Sequence, residues 1–143
     1  MRPFKLDERL LMGIQKIDEQ HNQFVDLLNR MVVSLHHPYA EEEMEHLIIE
    51  LSDFARHHFD TEEDLLRDIN FPKIRDHSIA HIRFDNKVKI FSDSLLVQNT
   101  NFDQFVLFNF KWLENHIKSF DTDYYKYVTK HNLLDDLKKK FAL

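Results

Sequence analysis

Apolar positions recur along this chain with the three-and-four spacing of helices that face a core. The first run predicts a helix from about Asp18 to His37, with Phe24, Val25, Leu28, Met31, Val32 and Leu35 inside and Pro38 as its stop. A second helix is expected from near Ala40 to about Arg67. Glu41, Glu42 and Glu43 in its first turn suit the positive end of the helix dipole. Its inner stripe is Met44, Leu47, Ile48, Leu51, Phe54, Ala55, Leu65 and Leu66. Asn70-Phe71-Pro72 interrupts the pattern. A third helix begins at about Pro72 and carries Ile74, Phe84, Val88, Phe91 and Leu95 on a bundle-like seam. Asn99, Thr100 and Asn101 form the next connection and can supply an N-cap. The fourth helix is expected from about Phe102 to Ser119. Phe102, Val106, Phe110 and Leu113 face inward, flanked by Phe105 and Trp112.

Outside these runs the pattern weakens. Residues 1–17 lack a clean period and read as an extended segment, with Leu10, Leu11 and Met12 covering one end of the core. The tail holds Tyr124, Tyr125, Tyr127 and Val128. A short amphipathic helix follows, with Leu133, Leu134, Leu137 and Phe141, and either covers the bundle or contacts a second copy. The expectation is all-α: an up-down-up-down four-helix bundle with an N-terminal extended segment and a short C-terminal helix. One domain spans 1–143, with the bundle at about 18–121 and the tail at 122–143. A single Gly and three Pro leave little for tight β-turns, which agrees.

Composition removes several function classes. A formal net charge of −6 argues against nucleic acid and anionic membrane as partners. Without Cys there is no disulfide, zinc-thiolate site, Cys-held iron–sulfur cluster or covalently attached haem. The first residues carry charges every few positions, and no segment reaches a membrane-spanning apolar length, so a soluble cytoplasmic protein is expected.

The oddity is polar residues on apolar stripes. His21 lies on the first stripe, His58 and Glu62 on the second, His77 and His81 on the third and His116 on the fourth. Each pair is four apart, one turn on one helix face. In an up-down-up-down bundle the start of helix one, the end of two, the start of three and the end of four share a level. These six residues occupy those places. Imidazole with carboxylate suits a transition metal such as iron or zinc, and buried His and Glu without partners would be costly. The bland alternative is a metal-free structural bundle, which leaves the inward His without evident polar partners. Asp121 is a seventh candidate, but five positions after His116 it stands ~140° away on a regular helix. It can join only if the helix loosens or ends there. His57 points ~100° from His58, toward a solvated face with Thr61 and Asp64. His36, His37, His46 and His131 read as surface residues. Glu63 is either a hydrogen-bond partner of a ligating His or an exposed acid.

GIQKIDEQH ending in His21, HFDTEE with His58 and Glu62, HSIAH with His77 and His81, and WLENHIKSFD with His116 and Asp121 together resemble the hemerythrin family, above all its bacterial single-domain members. Myohemerythrin is itself an example of the bundle inferred above. The resemblance runs from Gly13 to about Tyr124. It implies two iron ions per chain: one held by His77, His81 and His116, the other by His21 and His58 with an open position. Glu62, Asp121 and an oxo or hydroxo group would bridge them. Leu113 matches the apolar residue of the dioxygen pocket, and Trp112 and Tyr124 match common family positions. Phe71-Pro72 replaces the usual Tyr-Pro, and the N-terminal segment lacks the Trp frequent in bacterial relatives.

The implied activity is reversible dioxygen binding, for storage, delivery or sensing, with small anions such as azide taken at the open iron. The alternative is a di-iron redox enzyme or detoxifying protein acting on ferrous iron, peroxide or nitric oxide. Ligand chemistry favours the binder. Dioxygen-activating bundles use four carboxylates and two His, whereas here two carboxylates face five neutral imidazoles.

Overall fold

A computed structural model describes residues 1–37, 40–98 and 101–141. Four helices form the bundle: α1 (Gln15–Ser34), α2 (Ala40–Asp68), α3 (Ile74–Gln98) and α4 (Phe102–His116). A π-helical turn, Ile117–Asp121, leads directly into α5 (Thr122–Lys130), and α6 (Leu134–Lys140) ends the described chain. Each bundle helix packs on the next, and α1 closes the ring against α4. No strand occurs among the described residues, and no helix among them is long and apolar enough to cross a membrane.

Most expected stripes are the buried ones: Phe24, Leu28 and Met31 on α1, Met44 and Leu51 on α2, Phe84 and Val88 on α3. On α4 the inner face is rotated from the expected one. Phe105, Val106 and Asn109 are buried, while Phe102 and Phe110 are only half-buried. The N-terminal segment explains the rotation, because Phe4 stacks on Phe110 with ring centroids 4.4 Å apart. That segment is pinned by Asn29, whose side-chain oxygen accepts from the Phe4 amide at 2.6 Å and whose nitrogen donates to the Phe4 carbonyl. Leu10 and Met12 are buried as expected, but Leu11 is 59% exposed because the short turn at Glu8–Leu10 rotates it outward.

The helix ends follow local chemistry. Asp18 accepts from the Met12 and Gly13 amides at 2.7 and 3.0 Å. Gly13 has φ +73°, the left-handed region that glycine adopts without strain. α1 stops at Ser34, before the expected His37, and Pro38 lies outside the described residues. α2 ends in a Schellman motif: the Phe71 amide bonds the Leu66 carbonyl, the Asn70 amide bonds that of Arg67, and Asn70 sits at φ 54°. Pro72 then belongs to a turn, and α3 starts two residues beyond it. Asn132, at φ 55°, ends α5 by the same pair of bonds, from Leu133 to Val128 and from Asn132 to Thr129. Asn101 precedes α4 in left-handed geometry with no side-chain cap, whereas Asn99 and Thr100 lie outside the described residues.

The tail packs as two helices, one more than expected. Tyr124, Val128 and Leu137 are buried, the Tyr127 hydroxyl donates to the Ile69 carbonyl, and Lys140 pairs with Asp68. The end of α2 is therefore tied to both tail helices. Replacing Asn70 by Ala removes the residue type that tolerates left-handed backbone, and should lower stability by about 1 kcal/mol. Asn70→Gly should show no such loss. Urea denaturation midpoints of the two variants provide the check.

Candidate metal centre

The site grows from helical spacing. On α1 the buried positions Ile17, Gln20, His21 and Phe24 fall at i, i+3, i+4 and i+7. His58 and Glu62 stand one turn apart on α2, and His77 and His81 on α3. His116 is the last residue of α4. The π turn then does what a regular helix cannot. Its i→i+5 hydrogen bonding admits an extra residue per turn, which brings position 121 round to the side of position 116. All seven residues are at most 3% exposed.

Two groups of ligand-type atoms result. Glu62, His77, His81 and His116 converge within 4.8 Å of one another, and so do His21, His58 and Glu62. The Nε2 atom of His116 lies 3.1 Å from that of His81 and 3.2 Å from that of His77. Both carboxylates face both groups. Glu62 Oε1 is 2.5 Å from His77 and 3.2 Å from His81, while its Oε2 is 3.7 Å from His58. Asp121 Oδ1 is 3.2 Å from His77 and 3.3 Å from His116, while its Oδ2 is 3.3 Å from His21. Leu113 is buried one turn before His116. His36, His37, His46, His57 and His131 are exposed, as expected.

Outer partners orient the rings. Gln20 accepts from His58 Nδ1 at 2.7 Å, which leaves Nε2 of that ring free to face inward. Its amide nitrogen donates to Thr61, whose hydroxyl donates to the His57 carbonyl. Thr61 is thus an anchor, where the sequence placed it on a merely solvated face. Glu63 resolves as a hydrogen-bond partner: its carboxylate accepts from His81 Nδ1 at 3.2 Å and from Ser78. Tyr124 donates to Glu62 Oε2 at 3.2 Å. Phe59 stacks on His81 at 3.9 Å, and Trp112 and Phe120 stack on His116 at 4.5 and 5.2 Å. Gln20 escaped the sequence reading, although the stripe of Phe24 extended by one turn runs through it.

The electrostatics are those of buried charge. Burial pushes His58 down to about 3, so it is neutral. Burial opposes ionisation of Glu62 and Asp121, yet the surrounding imidazoles hold both well below the usual carboxylate range. Burial also disfavours a charged His77 or His116, but the Asp121 and Glu62 carboxylates raise them to about 10 and about 9. Burial and the two carboxylates hold Tyr124 protonated, as a neutral donor.

Protein groups alone do not satisfy this constellation. On the side facing the group, His21 Nε2 and both Asp121 oxygens are buried without a hydrogen-bond partner. The His116 Nε2 separations of 3.1 and 3.2 Å from His81 and His77 match neighbouring ligands of an octahedral ion with bonds of about 2.1 Å. The donor set, nitrogen and carboxylate oxygen without sulfur, fits iron.

The hemerythrin HHE cation binding domain matches residues 12–128. The chain belongs to the hemerythrin family. A bacteriohemerythrin of Clostridium acetobutylicum is 28% identical over 122 residues, covering 79% of this chain and 92% of the relative. A hemerythrin-like protein of Naegleria gruberi is 30% identical, covering 85% and 91%. A bacteriohemerythrin of Pseudomonas aeruginosa is 31% identical over 133 residues, covering 90% and 82%.

In the metal-free chain, protons on His77 and His116 balance the two carboxylates. Both His bind protons more tightly folded than unfolded. Their contribution to metal-free stability is therefore full below pH ~6.5 and lost as pH rises through 9 to 10. Thermal melts of metal-free protein should fall over that alkaline range. Cations displace these protons, so zinc titrated into metal-free protein at pH 7.5 should release about two protons per chain. A pH-indicator dye measures the release.

Proposed function

We propose that this chain binds two iron ions and uses them to bind dioxygen reversibly, as a store, carrier or sensor. The observation that carries the reading is the split of each carboxylate: one oxygen of Glu62 and one of Asp121 face the three-His group, and the other faces the two-His group. A residue arranged this way bridges a pair of cations. In this reading His77, His81 and His116 would hold one iron and His21 and His58 the other, with Glu62 and Asp121 shared between them.

The irons, when bound, supply the exchangeable electrons and one open coordination position. The chain's own residues do the rest. Two carboxylates only half neutralise a ferrous pair, which favours return to the ferrous state over the higher oxidation states that oxygenation of a substrate requires. Gln20 and Glu63 hold His58 and His81 in the tautomers that offer Nε2. Leu113 and the stacked rings keep water from the site. A cavity of about 270 Å³ between the N-terminal segment and α1 is lined by Leu10, Val25 and His21, and so offers small molecules an approach on the two-His side.

Purified protein should contain two irons per chain by metal analysis. A visible absorption band should form when the reduced protein meets air and vanish under argon. Passage straight to the ferric form, or steady consumption of dioxygen with a reductant, would favour the redox-enzyme reading instead. Glu62→Ala should lower iron content far more than His57→Ala, since Glu62 lies in both groups and His57 is exposed. Leu113→Ser should leave iron content unchanged and shorten the lifetime of the air-dependent band. Azide should bind the ferric form at one site per chain.

A further inference from the structure

This chain is acidic, with a formal net charge of −6, but one surface depression carries the opposite charge. It lies between α3 and the α4 helix with its π turn, and has a volume of about 420 Å³. Arg83, Lys87 and Lys111 line it, all three exposed, and no acidic side chain does. None of the three forms a salt bridge among the described residues. Unpaired like charges held together add nothing to the fold, and they produce a local positive field on a negative molecule.

The apolar centre of this depression leads to the metal site. Half-buried Phe108 and Trp112 lie among the cations. The Trp112 ring is stacked on the His116 imidazole at 4.5 Å and 14°, and His116 itself touches the depression. The Nε2 atom of the same imidazole lies 3.1 Å from that of His81, inside the three-His group. One ring therefore separates the basic surface from the site. The cavity at His21 opens on a different face, between α1 and the N-terminal segment.

We propose that this depression docks an acidic one-electron flavoprotein carrier, which delivers electrons through Trp112 and His116. The proposal rests on the two-iron reading above. The carrier gives up one electron per encounter and is oxidised by one. Two encounters return a ferric pair to ferrous, any accompanying proton comes from solvent, and no covalent bond of the chain is made or broken. An apolar centre rimmed by cations is the form of a transient electrostatic interface. The cations also span two helices, Arg83 and Lys87 one turn apart on α3 and Lys111 on α4, which suits several carboxylates on a surface better than one small anion.

The test uses flavodoxin, an acidic flavin protein, as probe. With isotope-labelled, zinc-loaded chain, oxidised flavodoxin at low salt should shift the backbone amides of Arg83, Lys87 and Lys111 and the Trp112 indole N–H. These shifts should fade at about 0.3 M salt. With the ferric iron form, reduction by reduced flavodoxin should slow on the order of tenfold or more in Arg83→Glu/Lys87→Glu/Lys111→Glu. Iron content should be unchanged, and reduction by a viologen radical cation should not slow. Shifts on another face, or an unaltered rate in the triple variant, would overturn the proposal. So would the same shifts from free flavin mononucleotide at equal concentration, which would mark a small-anion pocket. If the iron form shows no air-dependent band but the zinc form still binds flavodoxin here, the dioxygen reading fails and the docking surface stands.

Discussion

Two carboxylates, Glu62 and Asp121, are fully buried in the core of this bundle. Taking a carboxylate out of water carries a penalty of several kcal/mol even after relaxation, so the rest of that layer is organised around offsetting it. Among the described residues, no Lys or Arg is buried. The offset comes from imidazoles: His77 and His116 carry protons in the metal-free chain, or the rings turn lone pairs toward cations. Either state compensates the charge, and only the second also gives the unpartnered His21 Nε2 and Asp121 oxygens something to bind.

The two sides of the layer are built differently. The three-His side is enclosed by aromatic rings, with Phe59 stacked on His81, and Trp112 and Phe120 on His116. His81 is also bonded to the carboxylate of Glu63. On the two-His side, His58 is bonded to a neutral amide, Gln20, and His21 touches a cavity. One side is thus anion-supported and the other is neutral and beside a cavity, a difference that supports the proposed reading of two unlike metal positions.

Much of this was legible from residue order. Helical spacing assigned the stripes on α1, α2 and α3, and the common level of four helix ends brought six of the seven polar residues together. The errors fell where a distant segment decides local burial. Phe105 displaced Phe110 from the inner face because Phe4 covers Phe110 from outside. Leu11 turned outward with its short helical turn. Thr61 looked solvated because its partner, Gln20, lies 41 positions away.

Asp121 marks the boundary most clearly. Residue types and spacing by themselves determined a four-helix, all-α chain with His21, His58, Glu62, His77, His81 and His116 on one layer, because the periodicity of a helix is a local property that every turn repeats. The same rule left Asp121 on the wrong side of α4. Only the tertiary structure decided its place, through a π turn from Ile117 to Asp121. Such a turn is rare in an isolated helix. Here it coincides with the one arrangement that lets a carboxylate reach His21, His77 and His116 together, an interaction that exists only once three separate helices have met.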